Sequence, residues 1–485
     1  MKLSDLIRTA EVIDVYGNTD IEISGIAYDS RKVDKGYVFV CLEGSQVDGH
    51  DFASSAVGKG AAALVVNKEI NVEGDITIIR VNDTRKALSA IAADYYGRPS
   101  QKMNMIGITG TNGKTTTTYL IKEILEINGG NSGLIGTISY KILDKEYKAV
   151  NTTPESLELQ RLFAEMLEKS VDTCVMEVSS HSLEVGRVAD VHFSIGVFTN
   201  LTRDHMDFHG DIESYKKAKT KLFYKTTQAN IINIDDPYGV EIAQVIEGLP
   251  VKLLTYGMNK GADITAKDVS ISLKGARFTL VTPAYRGPVE IATPGRFSVY
   301  NALAAASVCY ILGYDLKQIQ DGLRSIKGVP GRFELVGNTG DHCIIVDYAH
   351  TPDALENVLN TTKEFVKGKL ITVFGCGGDR DKTKRPMMGE IAGKLSDYCV
   401  ITSDNPRTEN PGVIMEEIEN GIKKTDCKYK MIVDRRMAIH EAIASSTPGD
   451  VIVIAGKGHE TYQIIGSNVI DFDDRLIAQE ILRGE

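Results

Sequence analysis

The sequence predicts an α/β protein of three domains: a small N-terminal α/β domain, a central parallel sheet built on a phosphate-binding loop, and a C-terminal Rossmann-like α/β domain. Three observations predict it. Short apolar strands alternate with helical stretches along most of the chain, the pattern of parallel sheets covered on both faces. One apolar strand, Ile106-Gly107-Ile108, breaks into Gly110-Thr111-Asn112-Gly113-Lys114-Thr115-Thr116 and enters a helix. Four later strands each end in a polar cluster. A length of 485 residues suggests roughly two to four domains, each able to bury a core.

Composition excludes several classes. Hydrophobic content of 42% and charged content of 25% are those of an ordinary globular protein. A net charge of -10 argues against a nonspecific nucleic-acid binder, while small anionic substrates answer to local charge and stay open. The seven cysteines form no C-x-x-C pair and read as buried free thiols in a reducing compartment. Met1-Lys2-Leu3-Ser4-Asp5 lacks the apolar core of a signal peptide, and no stretch is long enough to span a bilayer. A cytoplasmic monomer with no nucleic-acid or membrane partner is expected.

Residues 1–98 alternate strands such as Ile21 to Ala27 and Tyr37 to Leu42 with turns, then add a small-residue helix and the strand Ala63 to Val66. Within them, Tyr28-Asp29-Ser30-Arg31-Lys32 is a polar knot in which Ser30 and its backbone neighbours can receive an anionic or sugar-nucleotide ligand, although Asp-Ser-Arg in a turn more often caps itself. Gly97-Arg98-Pro99-Ser100 breaks the next helix and marks a boundary.

Residues 99–332 hold the phosphate loop. Glycine lets backbone N–H groups turn inward, the following helix points its positive end at the same spot, Lys114 adds a mobile cation, and the Thr115 hydroxyl can hold Mg2+. The glycines fall at 107, 110 and 113, so the strict G-x4-G-K-[ST] spacing is not met. The strand Val171 to Val178 carries Glu177 at its carboxyl end, and the strand Phe193 to Phe198 runs into Thr199-Asn200-Leu201-Thr202-Arg203-Asp204-His205. Such ends are where open α/β sheets bind ligands. A hard cation accepts imidazole only occasionally, so His205 reads equally as a metal ligand or as a structural cap. Ser214 to Phe223 is a basic helix whose lysines read mostly as solvated, Asp263 to Leu280 alternates like an antiparallel hairpin, and Asn301 lies near the start of an alanine-rich helix, where it can cap the helix or touch a nucleotide.

Residues 333–485 form a second α/β unit with strands at Cys343 to Val346, Leu370 to Phe374, Tyr398 to Thr402 and Val451 to Ile454. Their ends carry Asp347-Tyr348-Ala349-His350, Gly375-Cys376-Gly377-Gly378-Asp379-Arg380, Ser403-Asp404-Asn405-Pro406-Arg407 and Gly456-Lys457-Gly458-His459-Glu460. Four clusters on one sheet edge make a second functional rim. Gly375-x-Gly-Gly lacks the third glycine spacing and the acid of a dinucleotide fingerprint, which disfavours an NAD enzyme.

Five motifs taken in order carry a resemblance over essentially the whole chain: Gly110-Thr111-Asn112-Gly113-Lys114-Thr115, Glu177-Val178-Ser179-Ser180-His181, Asn200-Leu201-Thr202-Arg203-Asp204-His205, Asp347-Tyr348-Ala349-His350-Thr351-Pro352-Asp353 and Asp404-Asn405-Pro406-Arg407. The sequence resembles the muramyl-peptide ligase (Mur ligase) family, which builds the peptide stem of peptidoglycan precursors. The resemblance implies ATP on the loop, with Lys114 on the β- and γ-phosphates, Thr115, Glu177, His205 and Lys219 around Mg2+, and Lys219 carbamylated by CO2. It implies nucleotide contacts from Asn301, Arg332 and Asp347, and a UDP-muramoyl-dipeptide held by Ser30, Asn151, Thr152, Thr153, Ser179 and Arg187.

It further implies that a D-glutamyl carboxylate of UDP-N-acetylmuramoyl-L-alanyl-D-glutamate is activated as an acyl phosphate and attacked by the amine of diaminopimelate. Arg407, with its fork of parallel N–H donors, is the expected partner of the second carboxylate of that amino acid, which lysine lacks. Arg380 is a further cation, Asp404 and Glu460 suit ammonium groups, and Asn405, Pro406 and Gly456 complete the pocket. Three rivals differ in what they predict. A lysine-adding relative needs no such arginine, a folylpolyglutamate-synthetase-like ligase shares the loop, and a noncatalytic nucleotide switch leaves the rim unexplained.

Overall fold

The computed structural model describes residues 1–44, 47–338 and 343–484. They form two compact units. The first comprises Met1–Gly107, Gly130–Gly196 and Ala218–Ala229, the second Ile108–Gly129, Val197–Lys217 and Asn230–Glu485. The division falls inside the strands Asn104–Thr109, Phe193–Phe198 and Thr226–Asn233.

The first unit begins with a five-stranded sheet in the order Val12–Tyr16, Thr77–Val81, Ala63–Val66, Tyr37–Val40 and Gly25–Ala27. Its strands are parallel except the first. Ala63–Val66 reads as a continuous apolar run because both of its faces are covered, and all four residues are buried. Helix Thr84–Tyr95 packs Leu88 and Ile91 among Leu3, Leu6, Val38 and Val40. It starts where the Asp83 carboxylate accepts the amides of Arg85 and Lys86, a cap worth about 1 kcal/mol. Farther along, Thr173–Glu177 lies parallel to Ser132–Ile135, which continues antiparallel into Ser139–Ile142 and Lys145–Lys148. The strand is shorter than its apolar run suggests, because Asp172 at its start stays exposed.

In the second unit the phosphate loop opens helix Lys114–Ile127. The expected hairpin is Ile264–Ser272 against Gly275–Val281, extended by Arg286–Ile291 on one side and by parallel Lys252–Gly257 on the other. The alanine-rich helix is Arg296–Ile311, buried along almost its whole length. A six-stranded sheet follows in the order Glu334–Asn338, Cys343–Asp347, Val451–Ala455, Leu370–Phe374, Tyr398–Ile401 and Lys428–Met431. All but the first are parallel, so the four polar strand ends open on one edge. Val451–Ala455 is buried at every residue, with Val451 and Val453 in one core layer and Ile452 and Ile454 in the other. Each such side chain contributes roughly 1.5–3 kcal/mol, so a charge at Val453 would unseat the strand that carries Gly456 to Glu460. Among the described residues no helix is long and apolar enough to cross a membrane.

Candidate functional site

The phosphate loop is shaped by two glycines that tolerate no side chain. Gly110 and Gly113 have φ of +153° and +85°. A Cβ on Gly110 would lie 1.9 Å from Thr199 Oγ1, and one on Gly113 2.4 Å from Asn301 Oδ1. The loop is stitched to the neighbouring strand end: Thr111 N donates to Asn200 O at 2.9 Å, Asn112 N to Asn200 Oδ1 at 2.9 Å, and Thr199 Oγ1 to Asn112 O at 2.6 Å. Lys114 Nζ donates to Gly110 O at 2.9 Å and Thr111 O at 2.7 Å, which holds its ammonium over the loop. Helix Lys114–Ile127 has no side-chain cap at Gly113, so its first amides, with those of Thr115 and Thr116, suit an anion.

Two of the expected nucleotide residues, Asn301 and Arg332, lie against this loop. Asn301 is buried beside Gly113 rather than capping its helix, whose N-cap is Gly295. Arg332 Nη2 donates to Thr115 Oγ1 at 3.0 Å, and its guanidinium lies 4.4 Å from the centre of the Tyr348 ring. Asp347 is buried and accepts the Phe333 amide at 2.6 Å. Burial raises its carboxyl to about 6 against the pull of Arg332. Asn112 Nδ2 donates to Asp353 Oδ2 at 2.7 Å, a link between the loop and the start of helix Pro352–Lys363.

His205 and Thr115 belong to the second unit, Glu177 and Lys219 to the first. His205 holds a left-handed backbone, φ +54°, with its Nε2 3.3 Å from Asp204 Oδ2. Glu177 is buried, and Thr137 fixes both of its oxygens, N to Oε1 at 2.8 Å and Oγ1 to Oε2 at 3.0 Å. Lys219 is 1% exposed, unlike exposed Lys217 and Lys221 around it, because it follows Tyr215 and Ala218 onto the inner face of helix Ile212–Thr220. Thr152, Thr153, Ser179 and Arg187 form one network with Glu177 and Thr137, and Asn151 is held beside it by Tyr140. Thr153 Oγ1 donates to Glu177 O at 2.8 Å and accepts Ser179 N at 3.1 Å, Arg187 Nη1 donates to Thr153 O at 3.1 Å, Thr152 Oγ1 meets Thr137 Oγ1 at 3.0 Å, and Tyr140 OH donates to Asn151 O at 2.7 Å. Ser30 is placed separately, in a single turn capped by Asp29, with its carbonyl on Lys59 Nζ at 2.9 Å.

The rim of the six-stranded sheet joins the remaining residues. Asn405 Nδ2 and Lys457 Nζ both reach Glu460 Oε2, at 2.8 and 3.0 Å, and Lys457 Nζ also donates to Tyr462 O at 2.5 Å. Burial, with Asp404 adding to it, raises the Glu460 carboxyl against the pull of Lys457. Gly456, at φ +115°, lets Asp404 approach: a Cβ there would lie 2.6 Å from Asp404 Oδ2. Arg407, following Pro406, has φ +50° and donates from Nη1 to Gly378 O at 2.7 Å. Arg380 is exposed, with Nη1 on Asp379 O at 2.8 Å.

Sequence reasoning assigned no role to Thr137 or Lys457. Lys457 was visible in Gly456-Lys457-Gly458, but its burial at 0% exposure comes from chain segments that meet only in the fold.

Comparison with known proteins identifies the family. Residues 22–96 match the Mur ligase family catalytic domain, 108–309 the Mur ligase middle domain, and 331–458 the Mur ligase glutamate ligase domain. The chain is 51% identical over 482 residues to a protein of Clostridioides difficile (strain 630) named UDP-N-acetylmuramoyl-L-alanyl-D-glutamate--2,6-diaminopimelate ligase, covering 99% of each chain. It is 52% identical over 485 residues to the protein of the same name from Alkaliphilus metalliredigens (strain QYMF), covering 100% of this chain and 98% of that one. A solved structure of an enzyme of that name superposes with a TM-score of 0.71 at 33% identity, covering 100% of this chain and 99% of the other. Matched along its length by these models and relatives, the chain belongs to the Mur ligase family.

Proposed function

We propose that the chain is an ATP-dependent amide ligase that joins meso-2,6-diaminopimelate to UDP-N-acetylmuramoyl-L-alanyl-D-glutamate in peptidoglycan precursor synthesis. The observation that carries this reading is full-length identity of 51% to a ligase of that specificity, in a chain whose rim presents Asp404-Asn405-Pro406-Arg407. Residues 1–98 would hold the UDP-sugar, 99–332 ATP, and 333–485 the amino acid.

The residues suit the groups assigned to them. The loop is a concave run of amides with a lysine above it, and both glycine positions exclude a Cβ, as a phosphate cradle requires. Thr115, Glu177 and a carbamate on Lys219 are oxygen donors of the kind Mg2+ takes, with His205 as the one nitrogen. A lysine only 1% exposed is poorly placed as a solvated ammonium, which supports the carbamate. Bound Mg2+ would draw charge from the transferring phosphoryl group.

The chain's own part is positioning and charge. Lys114 and the amides of Gly113 to Thr116 hold the β- and γ-phosphoryl oxygens, and Arg332 steadies Thr115. Asn151, Thr152, Thr153, Ser179 and Arg187 orient the muramoyl-dipeptide so that its D-glutamyl carboxylate takes the γ-phosphoryl group, releasing ADP. Asp404 and Glu460 hold an ammonium of the incoming amino acid, with the Glu460 carboxylate fixed by Lys457 and Asn405. Arg407 and Arg380 hold its carboxylates. Attack of the neutral amine on the acyl phosphate forms the amide and expels phosphate, with no covalent protein intermediate.

The test is phosphate release by the purified protein with ATP, Mg2+ and the UDP-dipeptide, adding diaminopimelate, L-lysine or no amine. Release that depends on diaminopimelate is expected. Release with lysine alone would remove the role given to Arg407, and release independent of any amine would remove the ligase reading.

A further inference from the structure

The loops that carry Arg380 and Arg407 are joined by an ion pair with a buried guanidinium, in which neither Arg380 nor Arg407 takes part. Arg385, in helix Lys384–Leu395, is fully buried. Its fork sits on Glu409, Nη1 to Oε2 at 3.0 Å and Nη2 to Oε1 at 2.8 Å. Nη1 also reaches Glu417 Oε2 at 2.7 Å, and Nη2 the carbonyl of Gly377 at 3.3 Å. Glu409 Oε1 accepts one more donor, the Asp379 amide at 2.6 Å, and Lys382 Nζ stands 3.1 Å from Oε2. The Asp379 carboxylate in turn accepts Thr408 Oγ1 at 2.7 Å and Thr408 N at 3.3 Å. Gly378 N donates to Asn405 O at 2.9 Å, and a Cβ at Gly378 would fall 1.9 Å from Pro406 O, so the two loops touch backbone to backbone.

This brace holds strained backbone on both sides. Asp379 and Arg407 have φ of +53° and +50°, left-handed conformations that cost side-chain-bearing residues about 1–2 kcal/mol and persist only where their surroundings over-determine them. Glu409 and the bonds it anchors supply that determination. A guanidinium taken wholly out of water gains little net stability from its partners, and the best attested use of such a pair is to fix register. Here the register is the spacing between the two loops.

We propose that Glu409, clamped by Arg385, is the positioning residue that sets the separation of Arg380 from Arg407, and thereby the preference for an amino acid with a carboxylate at each end. The inference rests on the function proposed above. Neither Glu409 nor Arg385 touches substrate: they act through the two arginines. Two carboxylates at a fixed span need two cations at a matching span, and a misplacement of about 1 Å can cost about 10²-fold. L-lysine, with one carboxylate, does not read that span.

The test is steady-state kinetics of the full-length protein with diaminopimelate and with L-lysine, for wild type, Glu409→Gln, Glu409→Asp and Arg385→Lys. Glu409→Gln keeps an acceptor for the Asp379 amide and loses the ion pair, Glu409→Asp keeps the charge and draws it back, and Arg385→Lys keeps a cation without the fork. The expected result is a KM for diaminopimelate raised by about 10-fold to 10²-fold, with kcat and the KM values for ATP and the UDP-dipeptide within about twofold of wild type. Lysine turnover stays unchanged, so the selectivity ratio falls by the same factor. Circular dichroism identifies any variant that fails to fold, and the remaining substitutions then decide. A selectivity ratio unmoved in folded variants overturns the proposal, as does a parallel change in kcat and all three KM values. A wild type that does not use diaminopimelate overturns the function reading and this one together, whereas a wild type that does, with unmoved variants, overturns this one alone.

Discussion

The phosphate loop and the rim of the six-stranded sheet lie at the carboxyl ends of similar buried strands, but they are made of different material. At Gly110 to Gly113 the working groups are backbone amides, and space for them exists because two residues lack a Cβ. At Asp404 to Arg407 the working groups are charged side chains, each held by a further polar group: Glu460 by buried Lys457, and the arginine loops by buried Arg385 with Glu409. A backbone site fails when an atom is added. A side-chain site fails when a charge is removed or moved. The first should therefore be lost as a whole, whereas the second should be lost one substrate at a time.

The largest expected effect is at the loop. Gly113→Ala puts a methyl group 2.4 Å from Asn301 Oδ1 on a backbone with φ +85°. It should lower phosphoryl transfer by about 10²-fold to 10³-fold whatever the amine, and equally for single-turnover ADP formation with no amine present. The rim should behave otherwise. Arg407→Asn, chosen because Asn accepts the +50° backbone, removes one charged hydrogen-bond partner, worth about 1.5–3 kcal/mol. It should raise the KM for diaminopimelate by about 10-fold to 10²-fold and leave amine-free ADP formation intact. A loss of that ADP formation in Arg407→Asn would break the contrast between the two regions.

How much of each region was legible follows from the same difference. The loop is written in seven adjacent residues, and the four strand ends of the rim are written as apolar runs that stop at polar clusters, so both could be placed from the sequence. Asp-Ser-Arg at Asp29 to Arg31 also turned out self-capped, as short-range chemistry favours. The pairings between distant residues were not legible. Arg332 and Thr115 are separated by 217 positions, Asn112 and Asp353 by 241, and Tyr28 and Glu158 by 130, and nothing local in either member announces the other. Lys219 shows the limit most plainly. Four lysines in the ten residues from Ser214 to Phe223 read as a solvated basic helix, and only packing separates buried Lys219 from exposed Lys217.

A smaller effect is expected in the pH dependence, with opposite signs for Asp347 and Glu409. Burial raises Asp347 to about 6, so the folded protein holds a proton that the unfolded chain has lost between the ordinary value of 3.8 and about 6. Its contribution to stability is present in full below that ordinary value and is lost as pH rises through about 6. Glu409, lowered from 4.5 to about 2 chiefly by its hydrogen bonds to Arg385, contributes above its ordinary value and loses that contribution as pH falls toward about 2. Urea unfolding of Asp347→Asn should therefore vary less between pH 4 and pH 7 than wild type, while Glu409→Gln should flatten the acid limb below pH 4.5.

The smallest effect should come from charges that belong to neither region. Arg277 and Glu290 pair across strands at 2.9 Å with side chains 77% and 43% exposed. Arg277→Ala should change the unfolding free energy by less than about 0.5 kcal/mol, which chemical denaturation can measure.

The central claim is tested most directly by offering the purified protein ATP, Mg2+, the UDP-dipeptide and an equimolar mixture of meso-diaminopimelate and L-lysine, and weighing the product. A single product with the mass of the diaminopimelate adduct is the predicted result. A lysine adduct as abundant as the diaminopimelate one, or no amide product at all, would contradict the account.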